Sequence, residues 1–353
     1  MKKSLLARCV GASLLVSLSA CQHHPTAHAQ DQQLQRLTKS HLTLMRQQAD
    51  LLAQQLALLD SASRQYCATP SADNLQQVQQ DWRQSFAAWT AMQGQSGGPL
   101  DAAGLSFAFQ FWPDKKDTVA KQVQRELAAV AQGGSVPDRG VVTTLNAVEF
   151  LVTSELSAEQ RCLLLPGISQ QLAKNAQLLQ STWHDANGYE QQLSQMQQQG
   201  GETALLTQAL SQLAHGYDRL EKKLVLPLNT ASNPRPLFAE AWRSQQSLYF
   251  LRTSLSALQQ EYRQGGLRSY LVNNQHQPRV AALDAAFADA LARLPAGDSL
   301  APWLQGNGSN LEANGYAQLL RFKLSLDQLG NQLKQALPSE LGLSLGFNAT
   351  DGD

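Results

Sequence analysis

Hydrophobic residues recur at helical spacing along most of the chain. In the segment 34–66 they include Leu37, Leu44, Leu51 and Leu58, each two turns after the last, with Met45, Leu52 and Leu59 beside them. This spacing predicts a long helix that packs through one face. Alternating β-branched residues, which would predict strands, are almost absent. The pattern therefore predicts an all-α fold.

Further helices are predicted where the same spacing recurs between segments that contain Pro or paired Gly residues. Their approximate ranges are 71–93, 118–131, 140–154, 166–183, 203–226, 237–264, 279–293 and 311–337. Ser71 or Asp73 can cap the first of these helices.

Two parts of the chain are weakly similar to each other. Trp82-Arg83 is followed seven residues after the tryptophan by Trp89, and Trp242-Arg243 is followed at the same distance by Tyr249. Each aromatic pair would share one helical face. Coincidence between two core helices would also explain these residues, but the similar order of elements around them favours duplication. We therefore expect two helical bundles, over 34–198 and 199–353, with a cleft between them suited to a ligand.

The segment 140–154 is mostly apolar and contains one acidic residue, Glu149. On a helix, Asn146 and Glu149 share a stripe beside an apolar stripe that includes Val148 and Val152. Burying an unpaired charge is costly. Glu149 is therefore expected either to face water on an ordinary amphipathic helix, or to be kept inside for a purpose.

The N-terminus has the features of an export signal. Lys2, Lys3 and Arg8 precede the apolar run 10–18, and Leu18-Ser19-Ala20-Cys21 follows. That ending resembles a bacterial lipobox, which implies a signal peptide over 1–20 and a lipid on Cys21. A plain signal peptide is the alternative. Gln22 resembles the residue found in lipoproteins sorted to the outer membrane, and residues 21–33 are expected to form a polar tether.

The charge balance excludes one class of function. Lys+Arg and Asp+Glu are both 28. Removal of Lys2, Lys3 and Arg8 with the leader would leave 25 basic residues against 28 acidic ones, a net charge of −3. A mildly acidic chain is not expected to bind nucleic acid.

Two cysteines, Cys67 and Cys162, remain after the leader and the anchor are accounted for. In an exported protein two such thiols favour a disulfide. Two separately buried free thiols are the alternative.

Common catalytic motifs are missing from the sequence. It contains no His-Glu-x-x-His and no Gly-rich phosphate loop. Residues 94–98 and 342–346 have the Gly-x-Ser-x-Gly spacing, but neither follows a strand pattern, so no nucleophile elbow is predicted. Its seven histidines form no pair at ligand spacing in the folded region.

Several stretches resemble the imelysin family of bacterial periplasmic proteins. They are the Trp-Arg helices, Phe111-Trp112-Pro113-Asp114, and Asn146-Ala147-Val148-Glu149 followed by Phe150-Leu151. The ending 341–353 resembles a predicted-lipoprotein branch of that family. The resemblance implies two helical bundles related by duplication, with a site between them. It also implies a link to iron-regulated uptake and to a claimed metal-dependent peptidase activity.

The family signature Gly-x-His-x-x-Glu is incomplete here, because its three positions hold Thr144, Asn146 and Glu149. A His and a Glu three residues apart could hold zinc or iron from one helix face. Asn146 is a much poorer metal ligand, although it could hydrogen-bond a ligand or orient Glu149. Glu149 is thus the one expected metal contact, for iron or another divalent ion, and proteolysis is disfavoured.

The expected ligand site lies between the bundles. It contains Glu149, which Asn146 would orient, and Asp114. Trp112 would form an aromatic wall, and the repeat would supply Arg243. A polar network that merely joins the bundles is the alternative for the same residues.

The leading functional interpretation is a non-enzymatic, periplasmic lipoprotein anchored to the outer membrane through Cys21. It would bind a metal, an iron chelate or a partner's segment in connection with iron uptake, and its partners would include iron-uptake components. An imelysin-type peptidase and a structural adaptor of an uptake complex are the alternatives.

Overall fold

The chain folds into helices joined by short connections. A computed structural model describes residues 27–95, 97–304 and 315–345. The helices of the first half are α1 (Ala27–Ala68), α2 (Ala72–Met92), α3 (Pro99–Ala102), α4 (Thr118–Ala131), α5 (Leu145–Thr153) and α6 (Ala158–His184). Those of the second half are α7 (Tyr189–Leu228), α8 (Ser247–Gln264), α9 (Leu267–Asn273), α10 (Gln277–Arg293), α11 (Ala301–Leu304), α12 (Gly315–Asn331) and α13 (Leu337–Glu340). These residues contain no β-strand, so the all-α prediction is confirmed.

The first half is built on α1, which packs along both α2 and α6. α4 and α5 lie against α6, and α5 also contacts α2. Ser71 caps α2 by accepting a hydrogen bond from Asn74 N. Cys67 at the end of α1 is bonded to Cys162 in α6, so the predicted disulfide is confirmed.

The buried face of α1 differs from the predicted heptad. Met45, Leu52 and Leu59 are fully buried, whereas Leu51 and Leu58 are each 46% exposed. An α-helix drifts by about 20° per heptad relative to a strict seven-residue repeat. Over several turns the buried face therefore shifts from one set of leucines to its neighbours.

The second half packs α7 against α8 and α12, and α10 against α12. α7 is kinked at Gly201, whose φ of 58° and ψ of −145° are not helical. A π-helical turn, Gln332–Ala336, joins α12 to α13. α9 is a helix that the sequence pattern did not predict.

The two halves share one buried core. The cluster of buried apolar side chains runs without interruption from Leu34 to Leu337. α2 packs on α8, and α1 contacts α7, α8 and α9. Near the end of α2 the backbone of Gly94 approaches Gly216 in α7 so closely that a Cβ on residue 94 would lie 2.8 Å from Gly216 Cα.

Several predicted helix starts differ from the structure, including those of α5 and α7, which begin at Leu145 and Tyr189 and not at 140 and 203. α1 begins at Ala27, seven residues before the predicted start, so the second part of the predicted tether is helical. α6 begins at Ala158 behind a capping box formed by Ser157 and Gln160, and Pro166 lies inside it. α8 begins ten residues later than predicted, at Ser247.

Because α8 starts late, the two Trp-Arg pairs do not both lie on helices, as the predicted repeat required. Trp82 lies within α2, but Trp242 lies in a turn whose residues Ala241 and Gln245 have positive φ values of 49° and 59°. The prediction that Trp242 and Tyr249 share a helical face is therefore wrong. These left-handed residues interrupt a segment whose apolar spacing alone looked helical.

Several predicted features lie outside the described residues. They are the signal peptide 1–20, Cys21, the first part of the tether and the tail residues 346–353. Among the helices that are described, none combines the length and the apolar character needed to cross a membrane.

Candidate functional site

The helix that carries Glu149 is short and enclosed. A 3₁₀ turn, Val141–Thr143, leads into α5, and Thr144 caps α5 by accepting a hydrogen bond from Ala147 N. Every residue from Leu145 to Val152 is buried. A helix that is surrounded by protein on all sides has no face exposed to solvent. The alternative in which Glu149 faces solvent on an amphipathic helix is therefore wrong, and Glu149 is only 1% exposed.

The Glu149 carboxylate is held by one residue of the second half. Ser244 donates two hydrogen bonds to Glu149 Oε1, from its backbone N at 2.9 Å and from its Oγ at 2.8 Å. Burial raises the pKa of Glu149, while the two bonds from Ser244 and the charge of Arg243 act in the opposite direction. The nearby charge of Glu240 adds to the rise.

The other predicted site residues lie around the same junction without forming one pocket. Asn146 Oδ1 accepts a hydrogen bond from Phe111 N at 3.2 Å, and Trp112 Nε1 donates to Phe238 O at 3.2 Å. Asp114 accepts from Thr118 N at 2.7 Å. It also accepts from Val119 N, and so caps the start of α4.

Arg243 pairs with Asp117 and lies over the Trp242 ring, 4.4 Å from its centroid. Its side chain is 13% exposed. This ion pair joins the segment 236–246 to the first half of the chain. The Ser244–Glu149 and Trp112–Phe238 hydrogen bonds do the same.

Beside this junction lies an open groove of about 580 Å³. Its wall is formed by α2, by the end of α5, by Arg161 of α6 and by residues 243–246, so both halves contribute to it. Ser244 is bonded to Glu149 and is also one of the residues that line the groove. Arg243 is the one residue of the predicted site that lines the groove directly.

Sequence reasoning did not include three residues that define this region: Ser244, Arg83 and Arg161. Arg161 donates to Leu151 O and Ser154 O, at 2.9 Å each. Arg83 pairs with Asp298 at 3.1 Å. Serines and arginines are common at protein surfaces, and these residues come from distant parts of the sequence. No local signal marks them.

A second buried polar cluster lies near α7 and joins residues of the second half to Gln110 of the first. Lys223 and Glu240 form an ion pair at 2.8 Å, and both side chains are 1% exposed. Gln110 Nε2 donates to Glu240 Oε1 at 2.5 Å, and Lys223 Nζ donates to Ser254 Oγ at 2.6 Å. One signal could have located it, because Lys223 sits between Leu220 and Leu224 on an apolar helical stripe.

The donors around Glu149 do not fit a transition-metal site. Thr144 is a helix cap, Asn146 Oδ1 accepts from a backbone N–H, and Glu149 Oε1 already accepts two hydrogen bonds. Within residues 27–95, 97–304 and 315–345 no three His, Cys, Asp or Glu side chains are grouped so that they could hold a metal ion. A catalytic zinc site normally takes three protein ligands.

The family model for imelysin, whose name designates a peptidase family, matches residues 45–336. The chain belongs to the imelysin family. No curated protein matches it. Its fold is shared by solved structures that include the following two. An imelysin-like protein from Psychrobacter arcticum superposes with a TM-score of 0.74 at 19% identity, covering 90% of this chain and 98% of that one.

The other structure is a protein from Parabacteroides distasonis that is named as an iron-regulated protein A precursor. It gives a TM-score of 0.66 at 14% identity, covering 89% of this chain and 95% of that one. The imelysin fold therefore accounts for nearly the whole of the described chain.

Proposed function

We propose that this imelysin-family chain is a non-enzymatic binding protein of iron acquisition, which takes its ligand in the groove between α2 and the segment 243–246. The ligand is an iron chelate or a segment of a partner protein, because the groove lining has no carboxylate, histidine or cysteine that would hold a bare metal ion. The chain faces the periplasm and is held by a lipid on Cys21, most simply at the outer membrane.

The groove itself is the observation that carries this proposal. Its volume of about 580 Å³ falls within the range of roughly 300–1,000 Å³ that small-molecule sites occupy. Both halves of the molecule form its walls, and clefts between packed units are common ligand sites.

In this proposal Glu149 supports the groove wall from behind. Its carboxylate fixes Ser244 through two hydrogen bonds, and Arg243 beside it is fixed by Asp117. Asn146, Trp112 and Asp114 hold the neighbouring segment 111–118 in place. The wall is positioned by Glu149, Asn146, Trp112 and Asp114, which do not touch the ligand themselves.

Binding can be tested with a blocking variant. The mature lipoprotein in a non-ionic detergent would be titrated by calorimetry with ferric citrate and ferrioxamine B. We expect at least one of these probes to bind. Gln76→Trp, at an exposed groove position of α2, should abolish that binding because the indole fills the groove. Gln124→Trp, at an exposed position of α4 outside the groove, is the matched control and should bind normally.

Two results would contradict the proposal. If no probe bound, or if Gln76→Trp bound as well as the control, the groove would not be the site. Metal-dependent cleavage of a denatured protein substrate that Glu149→Gln abolished would instead support the peptidase alternative.

A further inference from the structure

The charges along the groove are of one sign. Of the charged side chains that line it, all are arginines, namely Arg83, Arg161 and Arg243, and no Asp or Glu lines it. This contrasts with the chain as a whole, whose Lys+Arg and Asp+Glu counts are equal at 28. A cleft lined by one sign of charge raises the local concentration of ligands of the opposite sign.

Arg161 supplies a fixed positive charge with no carboxylate partner among the described residues. Its guanidinium donates to Leu151 O, Ser154 O and the Tyr66 hydroxyl, the last at 3.4 Å. A guanidinium has five N–H donors, and these contacts use three of them. The remaining N–H groups are held in a fixed direction, so an anion would bind them at little cost in side-chain entropy.

Arg83 and Arg243 are also held in place, and their charges are only partly neutralised. Arg83 stacks on Tyr249, with its guanidinium carbon 3.9 Å from the ring centroid. Its partner Asp298 lies 3.9 Å from a second arginine, Arg252, and is therefore shared. Arg243 pairs with Asp117. Around the groove, three guanidinium groups thus share two exposed carboxylates, Asp117 and Asp298.

Glutamines complete the polar lining. Gln76, Gln79 and Gln80 are exposed residues of α2 along one side of the groove. Their amides can donate hydrogen bonds to carboxylate or hydroxyl oxygens, and they carry no negative charge that would repel an anion.

We propose that the groove binds a small polycarboxylate anion, and that the iron chelate which suits it is a ferric polycarboxylate. Arginine forks match carboxylates in a bidentate geometry, and three arginines with a row of amides match a ligand with several carboxylates. This inference rests on the proposed binding function and names the ligand class of the same groove.

The test adds one negative charge to the groove without changing its shape. Gln80→Glu is nearly isosteric and lies at an exposed helical position, so folding should be unaffected. Titration of the mature lipoprotein with citrate and with ferric citrate should show binding in the unaltered protein. We expect Gln80→Glu to weaken it about tenfold, and higher salt to weaken it as well. Gln124→Glu, on α4 outside the groove, should bind like the unaltered protein.

A second variant, Arg83→Gln, removes a positive charge and should also weaken citrate binding about tenfold. The cationic chelate ferrioxamine B should bind neither the unaltered protein nor any of these variants. Binding of ferrioxamine B without citrate would overturn the polycarboxylate inference and leave the proposed function standing. Citrate binding that was unchanged in Gln80→Glu and Arg83→Gln would overturn the inference too, whereas failure of every probe would contradict the proposed function.

Discussion

Lys223 and Glu240 are an ion pair in the interior, where charge is costly. Burial lowers the pKa of Lys223 to about 8, against the opposing charge of Glu240. The pair is surrounded by further polar groups, including Gln110 and Ser254. Removing one partner of such a pair leaves the other as an uncompensated buried charge.

We expect Lys223→Met to reduce the free energy of unfolding by about 3–5 kcal/mol, because Glu240 is left buried without its partner. Urea unfolding followed by circular dichroism would measure the loss. Arg125→Met, which removes an arginine that is 67% exposed, should leave the midpoint unchanged. The double variant Lys223→Met/Glu240→Gln should recover part of the loss. Equal midpoints for Lys223→Met and Arg125→Met would contradict this account of the pair.

Glu261 should make stability depend on pH. Burial raises the pKa of Glu261 to about 7, with Gln95 as its hydrogen-bonding neighbour. The folded state therefore favours the neutral acid. Protonated Glu261 therefore contributes its full stabilisation of the fold below the unfolded pKa of about 4.5. That contribution is lost as the pH rises through about 7.

Glu261→Gln should remove this dependence. His41 acts in the opposite direction, since burial lowers its pKa to about 4 and its contribution is lost as the pH falls below about 6.5. The informative quantity is therefore the difference in unfolding free energy between the unaltered protein and Glu261→Gln. As the pH rises from 4.5 to 7, the unaltered protein should lose stability relative to Glu261→Gln. A difference that stays constant with pH would argue against a raised pKa at Glu261.

At the scale of elements, close contacts between helices depend on small residues. Gly94 lies where the end of α2 meets Gly216 of α7. Gly94→Ala places a methyl group 2.8 Å from backbone, which cannot move aside as a side chain can. We expect a loss of about 1–3 kcal/mol, the range seen for overpacking. Gly98→Ala is a suitable comparison, because its Cβ would lie 3.6 Å from Tyr189, an ordinary contact. Thermal unfolding of both variants would measure the difference.

The disulfide joins α1 to α6 across a sequence separation of 95 residues. Constraining a loop of that length in the unfolded chain stabilises the fold by about 4 kcal/mol in the chain-entropy model. Cys67→Ser/Cys162→Ser should lose about that amount in urea unfolding. A reducing agent should shift the unaltered protein towards the variant and leave the variant itself unchanged. A variant as stable as the oxidised protein would show that the bond adds nothing.

At the scale of the whole molecule, the shared core leads us to expect that the two halves unfold together. α2 packs on α8, and buried residues connect both halves without interruption. The groove at their junction therefore keeps its shape only while both halves are folded. Ligand that binds it should raise the midpoint of a single transition.

The proposed anchor also belongs to this scale. If Cys21 carries the lipid, the chain should incorporate radiolabelled palmitate and fractionate with the outer membrane when expressed in a Gram-negative host. Cys21→Ser should abolish the labelling and release the protein from the membrane fraction. Labelling that survives the substitution would place any lipid elsewhere.

The sequence by itself determined the helical class, most helix positions and the pairing of Cys67 with Cys162. These features depend on local periodicity, on capping residues such as Ser71 and on the small number of cysteines. Several short stretches, among them Phe111-Trp112-Pro113-Asp114 and Glu149-Phe150-Leu151, together also indicated the imelysin family. Each of these signals is contained in a short window or a simple count.

Only the tertiary structure decided which side of α5 meets which neighbour. Glu149 is buried because Ser244, 95 residues away in sequence, supplies both of its hydrogen bonds. The turn around Trp242 also escaped prediction, since left-handed residues at Ala241 and Gln245 interrupt a helical pattern. Charge and burial at a site depend on contacts between distant segments, and residue spacing along the chain does not encode those contacts. For this reason the sequence located the junction, whereas the arrangement of arginines in the groove emerged only from the fold.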